Sequence, residues 1–115
     1  MAVTIYHNPK CSKSRQTLQL LRDQGIEPRV VPYLKTPPDA TTLAALLRKL
    51  DLKPRDLLRR KEAAYAELGL DRPELDDAAL IEAMVEHPIL IERPIVVNGA
   101  KAALGRPAEQ VLDIL

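Results

Sequence analysis

Residues 3–34 constrain this chain most, because a strand, a helix and a strand follow one another there with almost no slack. Val3-Thr4-Ile5-Tyr6 alternates and is rich in β-branched residues, the pattern of a half-buried strand. Thr17-Leu18-Gln19-Leu20-Leu21-Arg22 has amphipathic helical spacing and stops at Gly25. Arg29-Val30-Val31-Pro32-Tyr33-Leu34 then reads as a second strand. Two strands joined by one helix over so short a stretch form a βαβ unit, parallel with a right-handed crossover. Pro32 has no N–H for a ladder, which predicts that the second strand lies at a sheet edge.

The middle of the chain is helical. Thr36-Pro37-Pro38-Asp39 is a turn with Asp39 as the N-cap of a helix whose Leu43, Leu46, Leu47 and Leu50 share one face. Pro54 opens a helical stretch through Lys61, and Ala63 to Leu68 continues in helical turns until Gly69. Asp76 or Asp77 caps a further helix with Leu80, Ile81, Met84 and Val85 as its buried stripe, so that residues 39–86 form a helical block. Strands then return. Ile89-Leu90-Ile91 and Ile95-Val96-Val97 flank Glu92-Arg93-Pro94, and Asn98-Gly99 is a hairpin turn before Lys101–Leu104. Pro107, with Glu109 behind it, opens a terminal helix ending near Leu115. The order β-α-β, helical block, β-β-α predicts one α/β domain over residues 1–115. Its core must be aliphatic, since Trp and Phe are absent.

Chemistry concentrates at His7-Asn8-Pro9-Lys10-Cys11-Ser12-Lys13-Ser14-Arg15, the loop between the first strand and helix. The only cysteine stands at or just before a helix N-terminus among Lys10, Lys13 and Arg15. Helix-end partial charge, free N–H groups and nearby cations all favour a thiolate, and the same N–H groups can cradle an oxyanion. Arginines on turns or element ends are candidate anion ligands: Arg93 before Pro94, Arg106 before Pro107, and Arg59 or its neighbour Arg60. His7 is a candidate to hold the loop or tune the thiol, whereas His87 reads as a helix C-terminal cation. Paired carboxylates, metal-ligand spacings and a phosphate-binding glycine loop are absent, so no metal or bound cofactor is expected. A net charge of +1 and so few aromatic residues speak against nucleic acid as a partner. No apolar run reaches membrane-spanning length, no signal-peptide layout opens the chain, and a lone reactive thiol suits the cytoplasm.

The stretch from His7 to Leu18 resembles the signature of the glutaredoxin-linked arsenate reductase family. Further matching blocks are Tyr33–Pro38, Leu57-Leu58-Arg59, Tyr65–Leu70, His87–Val97, Arg106-Pro107 and Val111–Leu115, so the likeness runs through essentially the whole chain. The resemblance implies a thioredoxin/glutaredoxin-like fold: a mixed four-stranded sheet in the order 2-1-3-4, with a helical insertion between strands 2 and 3. It also implies a cis Arg93–Pro94 bond. By position Cys11 looks like the family's nucleophile, Arg59, Arg93 and Arg106 like its oxyanion-binding arginines, and His7, Asn8 and Ser14 like supporting residues. The implied activity is reduction of arsenate to arsenite through a thiol-arsenate adduct. Glutathione is then the co-substrate and glutaredoxin the partner that reduces the mixed disulfide. Ser12-Lys13 stands where well-characterised arsenic-resistance members have Gly-Thr, and that pair and the end at Leu115 look like a chromosomal short subgroup. The alternatives are a glutathione-dependent thiol oxidoreductase for another substrate, a thioredoxin-like transcription regulator binding RNA polymerase, and a phosphatase-like thiol enzyme. Ser14 in place of a second cysteine weighs against the redox switch of such regulators, and the absence of a Cys-x5-Arg loop weighs against the last.

Overall fold

The computed structural model describes residues 2–115. The chain forms two compact units, one from the segment up to Thr36 together with Arg93–Leu115, the other from Pro37–Glu92.

The first unit holds the sheet. Strands β1 (Val3–Tyr6), β2 (Arg29–Val31), β3 (Ile95–Asn98) and β4 (Lys101–Leu104) lie in the order β2-β1-β3-β4. β1 and β2 are parallel, with Ile5 opposite Val30, while β1–β3 and β3–β4 are antiparallel, with Ile5 opposite Val96 and Val96 opposite Ala103. The order is the one the resemblance implies, and β2 is an edge strand. Helix α1 (Ser12–Asp23) makes the crossover, and Gly25 at φ +79 follows its end. One core cluster is aliphatic, with Val3, Ile5, Leu21, Val96 and Val111 buried and Leu18, Leu20, Ile26, Ala103 and Ile114 packed against them, but the aromatic Tyr33 is buried as well.

Three boundaries in this unit differ from the sequence expectation. β2 stops at Val31 instead of Leu34, because the Pro32 carbonyl is taken up by the following turn, accepting the N–H groups of Lys35 (2.9 Å) and Thr36 (3.0 Å). The hairpin loop is Gly99-Ala100, one residue later than expected, since Asn98 still pairs with Lys101. Gly99 takes φ +63 there, the first-position geometry that a two-residue turn reserves for glycine. The terminal helix is 3₁₀, Ala108–Ile114, with Pro107 just before it, and Asn98 Nδ2 anchors its end by donating to the Ile114 carbonyl at 2.7 Å.

The second unit carries helices α2 (Ala40–Leu50), α3 (Pro54–Leu57), α4 (Ala63–Glu67) and α5 (Asp77–Glu86), all between β2 and β3 in the chain. Asp39 caps α2 by accepting the Thr42 N–H at 2.7 Å, and Asp76 caps α5 by accepting that of Ala79 at 2.8 Å. Of the expected stripes, Leu43, Leu46, Leu47, Leu80 and Met84 are buried, whereas Leu50, Ile81 and Val85 lie at their edges and are half-buried. Helix α3 is shorter than predicted, because the chain extends at Leu58 to bridge Ile91. Ile89-Leu90-Ile91 is not a strand. Pro88–Leu90 is a 3₁₀ turn, with the Leu90 N–H bonding the His87 carbonyl at 2.9 Å. A short apolar run has the same pattern in either form, and of the turn's three residues Leu90 is the buried one. Among the described residues, no helix is long and apolar enough to cross a membrane.

Candidate functional site

β1 delivers the chain to the loop with one more ladder bond, from the His7 N–H to the Val31 carbonyl at 2.9 Å. Asn8 then closes a tight turn. Its carbonyl accepts the Cys11 N–H at 3.0 Å, and its Oδ1 accepts the Lys10 N–H, also at 3.0 Å. Its own N–H donates to Ser14 Oγ at 3.0 Å, which ties the turn to the first turn of α1. Arg15 adds an outer tie from Nη1 to the Pro9 carbonyl at 3.0 Å.

Ser14 is fully buried, and its Oγ lies 2.6 Å from His7 Nδ1. Burial, followed by the fields of Arg22 and Arg15, lowers the His7 pKa, so the neutral imidazole is favoured at neutral pH. Ser14 Oγ stands between the Asn8 N–H, from which it accepts, and His7 Nδ1. The His7 and Ser14 side chains and the Asn8 backbone thus form one buried polar network under the loop.

Cys11 occupies the N-cap of α1 in an extended conformation (φ −95, ψ 122), half-buried. That conformation turns its side chain over the helix end. Partial burial pushes the thiol pKa up, but the Ser14 N–H, the hydrogen bond and charge of Arg93, and the Lys13 N–H outweigh it, so the net shift is downward. Arg106 adds a second cation, with Nη2 3.7 Å from Sγ. The two arginines are locked together, since Arg106 Nε donates to the Arg93 carbonyl at 2.7 Å. Each precedes a cis-proline, at Arg93–Pro94 and Arg106–Pro107.

Gly105 sets the Arg106 loop close to α1. Its N–H bonds the Pro94 carbonyl at 2.9 Å. A Cβ there would press on Thr17 Oγ1, and come within 2.7 Å of Pro94 Cγ and 2.9 Å of Thr17 Cγ2. Only glycine lets the three segments meet without displacement. The result is a half-buried thiol facing two guanidinium groups and two helix N–H donors, a site built for an anion at or beside sulfur.

A sequence model of the ArsC family matches residues 6–114. The chain belongs to the ArsC family. A curated relative from Escherichia coli strain K12, the uncharacterized protein YfgD, is 57% identical over 114 residues, covering 98% of this chain and 96% of its own. The arsenate reductase of Rhizobium meliloti strain 1021 is 52% identical over 115 residues, covering 100% of this chain and 82% of its own. Among solved structures, an arsenate reductase from Vibrio cholerae superposes with a TM-score of 0.98 at 56% identity, covering 100% of this chain and 98% of that one. These likenesses establish this ArsC family member's fold as well as its kinship.

The residues predicted from the sequence fall into two groups. Cys11, Arg93, Arg106, His7, Asn8 and Ser14 gather at one end of the sheet in the first unit. Arg59 belongs to the second unit, where Nε pairs with Glu62 and Nη1 with Glu92, each at 3.1 Å, and its N–H bonds the Leu90 carbonyl at 2.7 Å. Arg60 is exposed, and Arg59 is the half-buried one of the pair. Sequence reading missed Glu62 and Glu92 as partners of Arg59. Glu62 had a signal, since it stands three residues along, whereas nothing local points to Glu92. It also missed Thr17, a buried polar residue on the helix face that meets Gly105.

Proposed function

We propose that this protein is an arsenate reductase with Cys11 as nucleophile, glutathione as co-substrate and glutaredoxin as the reducing partner. The observation that carries the reading is the half-buried thiol with its pKa lowered by Ser14, Arg93 and Lys13, and Arg106 beside it. The relatives named arsenate reductase at about half identity support it. In this reading Arg93 and Arg106 neutralise the oxygens of a bound arsenate, and Arg59 is the third arginine on the strength of its sequence position. His7, Asn8 and Ser14 hold the loop.

The Cys11 thiolate attacks arsenic, an arsenate oxygen leaves as water, and a sulfur–arsenic(V) bond forms. A glutathione thiolate then attacks the Cys11 sulfur. The sulfur–arsenic electron pair passes to arsenic, which departs as arsenite, and the two sulfurs are left as a mixed disulfide. The chain holds one cysteine, so the second thiol comes from outside. A glutaredoxin thiol reduces the mixed disulfide and restores Cys11.

The test is arsenite production with glutathione and glutaredoxin, comparing the native protein with C11S. The expected result is turnover in the native protein and none in the variant. A native protein that forms no arsenite under these conditions refutes the substrate.

A further inference from the structure

Thr17 has no part in the scheme above, yet it is fully buried in the second turn of the helix that Cys11 caps. Its hydroxyl donates to the Lys13 carbonyl at 2.9 Å and lies 3.4 Å from the Gly105 carbonyl. The first of these is the ordinary back-bond of a helical threonine. What makes it consequential is the peptide it lands on. The Lys13 carbonyl and the Ser14 N–H are the two ends of a single peptide unit, and the Ser14 N–H is one of the groups that favour the Cys11 thiolate at the N-cap of α1. The second contact reaches the residue immediately before Arg106, whose guanidinium lies at Sγ.

We propose that Thr17 is a positioning residue for the Cys11 thiolate, acting through the Lys13–Ser14 peptide and through the Gly105–Arg106 loop. The chain of groups is Thr17 Oγ–H, the Lys13 carbonyl, the Ser14 N–H and then Cys11 Sγ. A hydrogen bond accepted at one end of a peptide polarises it and strengthens the bond donated at the other. At the same time the hydroxyl of Thr17 reaches the Gly105 carbonyl, so α1 and the Arg106 loop share a polar contact. The charged groups facing the sulfur are Arg93 and Arg106, with Lys10, Lys13 and Arg15 exposed along its own loop and helix. All of them are retained when Thr17 alone is changed.

The inference gains its meaning for turnover from the reading of Cys11 as the working thiol, but its test needs no arsenate. The rate of Cys11 alkylation by iodoacetamide is followed against pH in the native protein, T17V and T17S. T17V keeps the shape and loses the hydroxyl, whereas T17S keeps the hydroxyl and loses the methyl. Strengthening of roughly 10–30% per bond, applied to a charged hydrogen bond, leads to about 1.3- to fivefold less thiolate in T17V below the thiol pKa. The high-pH plateau should be unchanged, and T17S should titrate like the native protein. A T17V protein with native titration overturns the proposal, and so does a T17S protein that shifts as far as T17V, since packing would then account for the effect. If T17V does not fold, T17A takes its place under the same two criteria. Native titration in T17V together with a loss of arsenite formation in C11S would reject the role of Thr17 and leave the proposed function standing.

Discussion

Replacing Arg93 by alanine removes one cation from the thiol while leaving the rest of the site in place. The Arg106 side chain is held by the Arg93 carbonyl, not by its guanidinium, so R93A keeps that 2.7 Å bond and the second arginine with it. Arg93 acts on Cys11 both by hydrogen bond and by charge. A hydrogen bond to an ionised group contributes about 1.5–3 kcal/mol. Its loss removes a group that lowers the thiol pKa, so the thiol of R93A titrates at higher pH than in the native protein. The same donor is required by an oxyanion as charge is redistributed during attack at arsenic, so kcat/KM should fall by about ten- to a hundredfold. Two assays separate the contributions. Iodoacetamide alkylation against pH reads the thiol alone, and arsenite formation with glutathione and glutaredoxin reads the whole cycle. A folded R93A protein that titrates at the native pH and turns over within about twofold of the native rate would refute the placement of Arg93 as a thiolate and oxyanion ligand.

Two further perturbations test the scaffold beneath the thiol. His7 has its pKa lowered in the folded protein, chiefly by burial, so below the ordinary imidazole value the unfolded chain binds more protons and stability falls as pH falls. Urea midpoints measured from pH 7.5 to about 5.5 should therefore decline more steeply in the native protein than in H7N, and parallel curves would show that the imidazole is not held neutral. Gly105→Ala places a methyl within 2.7 Å of Pro94 Cγ and against Thr17, so the Arg106 loop must move. Overpacking of this kind costs about 1–3 kcal/mol, read from the urea midpoint, and the displaced Arg106 should also raise the thiol pKa. A stable G105A protein with native alkylation kinetics would show that the loop spacing is unimportant to the sulfur.

How far the sequence reaches follows from the range of the forces involved. The thiol's position was legible because a strand, a turn and a helix start are local signals, and Cys11 stands where they meet. The N-caps at Asp39 and Asp76 were legible for the same reason, each needing only a donor three residues along. The apolar stripes of α2 and α5 followed from helical spacing. Pro88–Leu90 was not legible, because an apolar run this short shows no period that tells a strand from a 3₁₀ turn. The end of β2 was missed because proline both lacks a donor and offers its carbonyl to the next turn, and only the first of those effects marks the sequence.

The site's electrostatics needed tertiary structure. Arg93 and Arg106 are half-buried, and burial keeps their charges from being screened as they would be at the surface. The cations that crowd Cys11 in the sequence are mostly elsewhere: Lys10 and Lys13 are exposed, and Arg15 is spent on the Pro9 carbonyl. Lys13 contributes through its backbone N–H rather than its ammonium group. A cluster of basic residues was thus a sound pointer to the position and a poor guide to the mechanism. The groups that favour the thiolate are peptide dipoles fixed by α1 and guanidinium groups brought from residues 93 and 106. Substituting Lys10 or Lys13 should accordingly matter far less to the sulfur than changing Thr17, a neutral residue that bonds to the peptide facing it.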